Sequence, residues 1–429
     1  MGFQQGLSGL RTSSKSLDVI SNNIANASTV GFKQAQAQFA DIYAYATGAK
    51  NQVGIGAMVM RVQQQFTQGN LSTSANALDV AINGNGFFRF SDNGSIKYSR
   101  NGQLELTKDG YLVNGAGYRL TGYSVYENGN IAAGAPTEIQ ISSEDITPNA
   151  TTHVTTILNL DSRSEVIDSV THPFDPTEPL SYNNSTAIDV YDSLGNMHVL
   201  QTFYVKTGPL PGAAPGTHGT WDVYVYTDGE IINDAVPPRT GSTTSKDGTW
   251  AIGSLTFDEY GKPIGTQQFM NMAIPGINGA AITYPVILDY TGTTQYGSNF
   301  GVNDNQQDGF TSGRLISFSM DSQGYILGSY TNGKTQMLGQ VVLTNFRNPN
   351  GLTALGDNMY SETLESGAPI TGAPQTGPLG TLQSYYVENS NVDLTEQLVE
   401  MITAQRVYQA NAQTIKTEDS IMNTLVNLR

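Results

Sequence analysis

The chain has 429 residues, no Cys, and 37 acidic against 21 basic side chains, giving a formal net charge of -16 and a pI near 4.5. That balance argues against nucleic acid or an anionic membrane surface as a partner, and the lack of Cys excludes disulfides, thiolate metal sites and Cys nucleophiles. No run approaches the ~18 consecutive apolar residues of a membrane-spanning helix, no basic-then-apolar leader with a cleavage site opens the chain, and the length suffices for about two or three domains with real cores.

In chain order, Phe3, Leu10, Leu17 and Ile24 recur by sevens, with Ile20 between the last two. This predicts an amphipathic helix of about 25 residues with a coiled-coil-like seam, ending near Asn26, before Ser28, Thr29 and Gly31. Residues from Gln34 to about Ser72 are rich in Ala and Gln and predict a partly irregular connecting segment. One strand is expected inside it, where Met58, Met60, Val62 and Phe66 alternate with Arg61, Gln63 and Gln65.

From Leu78 to about Tyr123 the pattern changes to closely spaced Asn-Gly and Asp-Gly pairs, which supply the positive φ of tight hairpins. Short strands at Phe87 to Phe90, Leu104 to Leu106 and Tyr111 to Val113 predict an antiparallel β domain. The 46 Gly exceed the usual share of about 7% and fit a turn-rich β protein. From about Pro148 to Gly301 a second, more loop-laden β region follows. Ala187 to Lys206 reads as strand, turn at Asp192 to Asn196, strand; Trp221 to Thr227 alternates and then turns at Asp228-Gly229. Gly208 to Gly219 and Pro237 to Gly248 read as exposed loops, and Trp221 and Trp250 as core anchors. Hairpin patterning resumes from Gly313 to Phe346, so the second β region reads as an insertion into the first. Gly367 to Gly380 reads as a return linker.

The last stretch, Ser390 to Arg429, contains no Gly and no Pro. Leu394, Leu398, Met401, Tyr408, Ala412, Ile415, Met422 and Val426 recur at steps of three and four, a stripe interrupted at Gln405 and Asp419. Asp393 is placed to cap this helix, with Glu396 as the carboxylate of a capping box. Such a helix spans roughly 50 Å at about 1.5 Å per residue. Two stripe-bearing helices therefore bracket the chain. They either cover one another as a hairpin or pack against copies of themselves.

Enzymatic readings fare poorly. Gly328 to Thr335 matches the phosphate-loop pattern G-x-x-x-x-G-K-[ST], but that chemistry needs a helix to open at Lys334. Thr335 to Thr344 instead reads as strand, with Asn332-Gly333 as its turn. Gly84 and Gly86 lack the third Gly and the helix of a dinucleotide loop. Asn303, Asn305, Asp308 and Gly309 faintly resemble a calcium loop, but Leu315 stands where the bidentate Glu is required, so a solvated linker is expected there. His153, His172, His198 and His218 show no zinc-ligand spacing. No catalytic residue, cofactor or metal is assigned.

Ser21-Asn22-Asn23-Ile24-Ala25-Asn26 followed by Thr29-Val30-Gly31-Phe32-Lys33 closely resembles the N-terminal signature of the bacterial flagellar rod and hook proteins. Ala404-Gln405-Arg406, Tyr408-Gln409, Asn411 to Thr417 and Asn423-Thr424-Leu425 resemble their C-terminal signature, and Leu78 to Phe88 also looks like this axial family. The resemblance implies a mixed fold. Two terminal α-helices (1–28 and 390–429) would form a coiled-coil-like inner layer, joined by connecting segments (29–72 and 363–389) to a mainly antiparallel β domain (73–147 and 309–362). A second β domain (148–308) would be inserted in the first.

It further implies self-assembly, as a helical homopolymer, through Phe3, Leu10, Leu17, Ile20, Asn22, Asn23, Ile24, Asn26, Gly31, Phe32, Leu394, Leu398, Met401, Tyr408, Ala412, Ile415, Met422, Leu425 and Val426. An open helical filament follows from a head-to-tail interface that does not close. Within the family, the inserted domain favours a hook subunit over a shorter distal rod protein; a secreted β-rich adhesin or carbohydrate-active enzyme is the reading from another class. A hook subunit implies a curved tube outside the cell, export without a cleaved signal peptide through the flagellar type III apparatus, and contacts with a hook cap, the distal rod and hook–filament junction proteins. Ends that become ordered only on incorporation are expected.

Overall fold

The structure, a computed structural model, describes residues 2–42, 54–126, 130–132, 134–142, 144–168, 171–208, 219–228, 230–231 and 251–427. Trp250, His218, Gly229 and most of both expected long loops lie outside these residues.

The chain begins with helix α1 (Gly2–Ala25) and ends with helix α2 (Leu394–Asn427). Gly31 lies past the end of α1 at φ +73, a backbone that disfavours side chains. The start of α2 is fixed by Asp393, whose Oδ1 accepts from the amides of Thr395 at 2.8 Å and Glu396 at 3.2 Å. Between the helices the chain divides into two units. One comprises Met1–Ser143, Ile316–Ser329 and Thr335–Arg429; the other comprises Glu144–Leu315 and Tyr330–Lys334.

The first unit is built on a large antiparallel sheet. Its central neighbours run Thr335–Val341, Arg119–Tyr123, Phe87–Asp92, Ser95–Ser99 and Met359–Ser361. Asn93 and Gly94, both at positive φ, close the hairpin between two of these strands, as an Asn-Gly turn should. Phe87, Tyr98, Phe346 and Tyr360 form a buried aromatic cluster, with Phe66 meeting Phe87 edge-on at 5.4 Å. At the phosphate-loop look-alike, Gly333 turns at φ +75 and strand resumes at Thr335, so the amides pair across a hairpin.

The second unit is a sandwich. One sheet has the order Gln268–Ile274, Thr283–Asp289, His153–Asn159, Gly301–Gln307; the other runs Asn184–Tyr191, Met197–Lys206, Gly219–Thr227, Gly253–Phe257, Pro263–Ile264. Among the described strands of these sheets, pairing is antiparallel except between His153–Asn159 and Thr283–Asp289, and an isolated parallel bridge joins Asn159 to Thr294. Strand Gly219–Thr227 is buried along its whole length. Trp221, Val223 and Val225 enter the core between the sheets, while Tyr224 and Tyr226 pack on Phe174 and Phe203 on the other side.

The structure departs from expectation at three places. The described part of the Ala- and Gln-rich segment holds more strand than expected, with no regular structure over 65–70. It forms β1 (Ala35–Ile42), paired through a bulge with β2 (Gly56–Gln64), and a short β3 (Leu71–Thr73) follows. Its glutamines serve as cross-strand bonds, Gln38 to Gln63 at 2.8 Å and Gln65 to Gln36 at 3.1 Å. The expected linker around Asn303 and Asn305 is the strand Gly301–Gln307, paired with His153–Asn159. The expected return linker is stitched to the sheet at Ile370–Gly372, which pairs with Leu343–Asn345. In all three, long-range partners supply what local composition does not.

Candidate assembly surface at the chain termini

The two helices lie antiparallel. Going along α1, Gly2 faces Glu418, Gly6 faces Ile415, Gly9 faces Asn411, and Asn23 reaches Gln397. The α1 face of this seam is made of small residues, because a Cβ at Gly6 would stand 2.9 Å from Ile415 Cγ1 and one at Gly9 2.6 Å from Asn411 Oδ1. Thr12 and Ser13 continue it, buried, with their hydroxyls returned to the carbonyl of Gly9. On α2 the matching residues are Gln397, Ala404, Asn411 and Glu418, spaced by sevens. The α1 side of the contact is thus small and polar, and the α2 side mixes Gln397, Asn411 and Glu418 with Ala404 and Ile415.

Most of the large apolar side chains of α2 point elsewhere. Leu394, Leu398, Tyr408, Met422 and Val426 are exposed, and so are Val399 at 60% and Ile402 at 51%. Met401, Ala412 and Ile415 are partly buried; Leu425 lies within α2. On α1, Ile20 is buried, Leu10, Leu17 and Ile24 are partly buried, and Phe3 is exposed at 51%. A cleft of about 550 Å³ opens between α1, α2 and β1, walled by Val19, Ile20, Ala37, Phe39, Val399 and Val407.

The polar residues of the N-terminal signature divide. Asn22 is exposed, and Asn26 and Phe32 are partly buried. Asn23 is buried and works inside the chain: its amide donates to Ala35 O at 2.8 Å and Gln397 Oε1 at 2.9 Å and accepts from Ala35 N at 2.9 Å. Gly31 is buried too, donating to Glu388 O at 2.7 Å, and a Cβ there would meet the backbone of Asn101. These two hold the ends of one chain together instead of facing outward.

Just beyond them, Lys33 Nζ lies 2.7 Å from Glu388 Oε1 with both side chains fully buried. Burial holds the Lys33 amine below its ordinary range; Glu388 opposes that and Arg100 adds to it. Asn391 ties the same junction, accepting from Gln34 N at 2.7 Å and donating to Gln65 O at 2.8 Å.

Comparison with known proteins places this arrangement. Residues 3–33 match the family described as "Flagella basal body rod protein" and 383–428 match "Flagellar basal body rod FlgEFG protein C-terminal". Residues 81–157 match "Flagellar hook protein FlgE/F/G D1 domain" and 159–310 match "Flagellar basal body protein FlaE D2 domain". The chain is 41% identical over 435 residues to the flagellar hook protein FlgE of Escherichia coli, covering 100% of both. The chain belongs to the flagellar hook protein family. A hook protein of Borreliella burgdorferi is 30% identical, covering 99% of this chain and 98% of the relative. A crystal structure of Helicobacter pylori flagellar hook protein FlgE2 shares the fold at a TM-score of 0.54 and 16% identity, covering 74% of this chain and 100% of that one.

Several residues that shape this hook-family terminus have no apolar signal. Gly2, Gly6 and Gly9 could have been found as small residues at helical spacing on α1. Lys33 and Glu388 stand 355 positions apart, and nothing local marks them as partners.

Proposed function

We propose that this chain is the structural subunit of the flagellar hook and that it works by polymerising into a curved, flexible tube that links rod to filament, a universal joint for motility. One observation carries this reading: α1 leaves Leu394, Leu398, Val399, Ile402, Tyr408, Met422 and Val426 of α2 exposed, so these large apolar side chains remain in water in a single copy. Burying such a side chain fully is worth about 1.5–3 kcal/mol. Several per copy, repeated along a stack, supply a driving force that an isolated chain cannot realise.

In this reading Phe3, Leu10, Leu17, Leu394, Leu398, Met401, Tyr408, Met422 and Val426 meet neighbouring copies in an inner layer of helices. The β units lie outside and slide over one another when the tube bends, a shear motion. The work is mechanical and not catalytic. Export through the flagellar type III apparatus without signal-peptide cleavage, growth under a hook cap, and contacts with the distal rod and hook–filament junction proteins belong to the same proposal; they rest on kinship with named hook proteins. The test is electron microscopy of the purified protein under polymerising conditions. Curved tubes are expected from the full chain and none from a chain lacking residues 394–429. Tubes from the truncated chain would overturn the proposal.

A further inference from the structure

We propose that Asn278 is a site of self-modification: in the folded chain its side chain loses ammonia and it becomes aspartate or isoaspartate, while the fold protects the other described Asn-Gly pairs. Asn-Gly occurs nine times in the sequence, and eight of these pairs lie among the described residues. Gly puts no side chain beside the amide nitrogen that attacks, so each pair is competent in an unfolded chain. What separates them is the restraint each meets on folding.

The reaction has a strict geometric demand. The amide nitrogen of Gly279 attacks Cγ of Asn278. An N–C bond forms, the Cγ–Nδ2 bond breaks, and the amide proton leaves with Nδ2 as ammonia. Water then opens the cyclic imide at Cγ, giving aspartate, or at the main-chain carbonyl, giving isoaspartate. Water enters and ammonia departs, with no change of oxidation state. The glycine amide must therefore be free of hydrogen bonds, the side-chain amide free to turn, and both open to water.

Asn278 and Gly279 meet these conditions. They are the central residues of the turn from Ile277 to Ala280, at φ 55 and 89, closed by Ala280 N donating to Ile277 O at 3.0 Å. Both are exposed, and a Cβ on Gly279 would find nothing within 4 Å. Among the described residues, nothing bonds the Asn278 side chain or the Gly279 amide. The other pairs are restrained. The amides of Gly94, Gly333 and Gly351 donate to Ser91 Oγ at 3.3 Å, Tyr330 O at 3.0 Å and Asn348 O at 3.0 Å. Asn332 is fixed twice more, since Nδ2 donates to Thr311 O at 2.7 Å and Oδ1 accepts from Lys334 N at 3.1 Å. Asn101 and Asn114 hold Oδ1 against Gln103 N at 3.0 Å and Tyr118 N at 2.9 Å. Asn83 lies in a strand paired with Thr381, and Gly86, after Asn85, is buried.

The product alters the turn. Aspartate puts a carboxylate beside exposed Ile277. Isoaspartate also adds a methylene to the backbone between two anchors, Asn196 Nδ2 donating to Ile277 O at 3.3 Å and Ala281 N donating to Ser193 Oγ at 2.9 Å.

The test is peptide mapping by mass spectrometry on the full chain held in mildly alkaline buffer over days, with the same chain in concentrated urea as reference. It needs no polymer. The readout at each pair is its conversion rate when folded divided by its rate in urea, which cancels the effect of neighbouring residues. Asn278 should keep a ratio close to unity. Asn93, Asn101, Asn114, Asn332 and Asn350 should fall to about one third or lower, since each must first break or strain a hydrogen bond. Isoaspartate at position 278, detected by isoaspartate methyltransferase labelling, should accompany the conversion. Gly279→Ala should slow it, folded and in urea, by placing a methyl group beside the attacking nitrogen. A ratio at Asn278 no higher than at Asn332, a higher ratio at any of the other four, or an Asn278 that stays intact overturns the proposal.

Discussion

Asn23 and Gln397 meet at 2.9 Å across 374 positions of sequence, both side chains almost fully buried between two helices that carry apolar stripes. A polar pair here sets register, because its donors and acceptors can be satisfied in one alignment only. Asn23 also closes on both backbone groups of Ala35, so it fixes β1 as well as α2 against α1. Asn23→Ala would leave buried polar groups unpaired, at about 1–3 kcal/mol. Exchange in α1 and residues 34–42 of assembled tubes should then rise about tenfold or more. An unchanged pattern would show that the pair is incidental.

The glycines of α1 make a second prediction. Gly6→Ala gains up to about 1 kcal/mol in helix propensity but presses on Ile415, so its net effect should be small. Gly6→Leu has no such compromise available and should separate the helices by overpacking, at about 1–3 kcal/mol. Protection of α1 in hydrogen exchange should fall for Leu and hold for Ala.

Sequence made α2 legible because its signals are local: a capping Asp393, forty residues without Gly or Pro, and a stripe at helical period. The hairpins at Asn93-Gly94 and Asn332-Gly333 were legible for the same reason, since a positive φ is a property of one residue. What escaped depends on distant partners. β1 is a strand because β2 and α1 lie beside it, and the run from Gly301 to Gln307 because it borders His153–Asn159. Within the terminal surface, apolar periodicity identified the stripe but not which of its neighbours would cover it. The covered face proved to join Ile415 of the stripe with Gly, Ser, Asn and Gln, residues that a hydrophobic pattern ignores.

The exposed stripe and the buried core should respond oppositely to substitution. Ile402→Asp and Val399→Asp change exposed positions and should leave monomer stability within about ±0.5 kcal/mol while abolishing tubes. Trp221→Ala, at a fully buried site in the sandwich core, should cost about 3–5 kcal/mol in denaturant unfolding of that unit. Tubes formed by Ile402→Asp and Val399→Asp at wild-type concentrations would mean that the outward face of α2 is not an assembly contact.

Base should unfold the protein before its buried tyrosines ionise. Burial pushes Tyr290 and Tyr360 up to about 12, one in each unit, and raises Tyr98 further still, helped by its 2.8 Å bond to Glu362. In an unfolded chain each would titrate near 10. Above pH ~10 the unfolded state loses these protons while the folded state keeps them, so folding becomes linked to proton uptake and stability falls as pH rises toward 12. The contribution is complete below pH ~10. In a spectrophotometric titration, exposed tyrosines should ionise first. The buried set should ionise only together with the loss of β-sheet circular dichroism. Tyr290→Phe removes one such proton from the linkage, and the second unit should then withstand a higher pH than in the unmodified chain. Smooth titration of all 22 tyrosines near pH 10, with the sheets intact, would contradict the burial on which this rests.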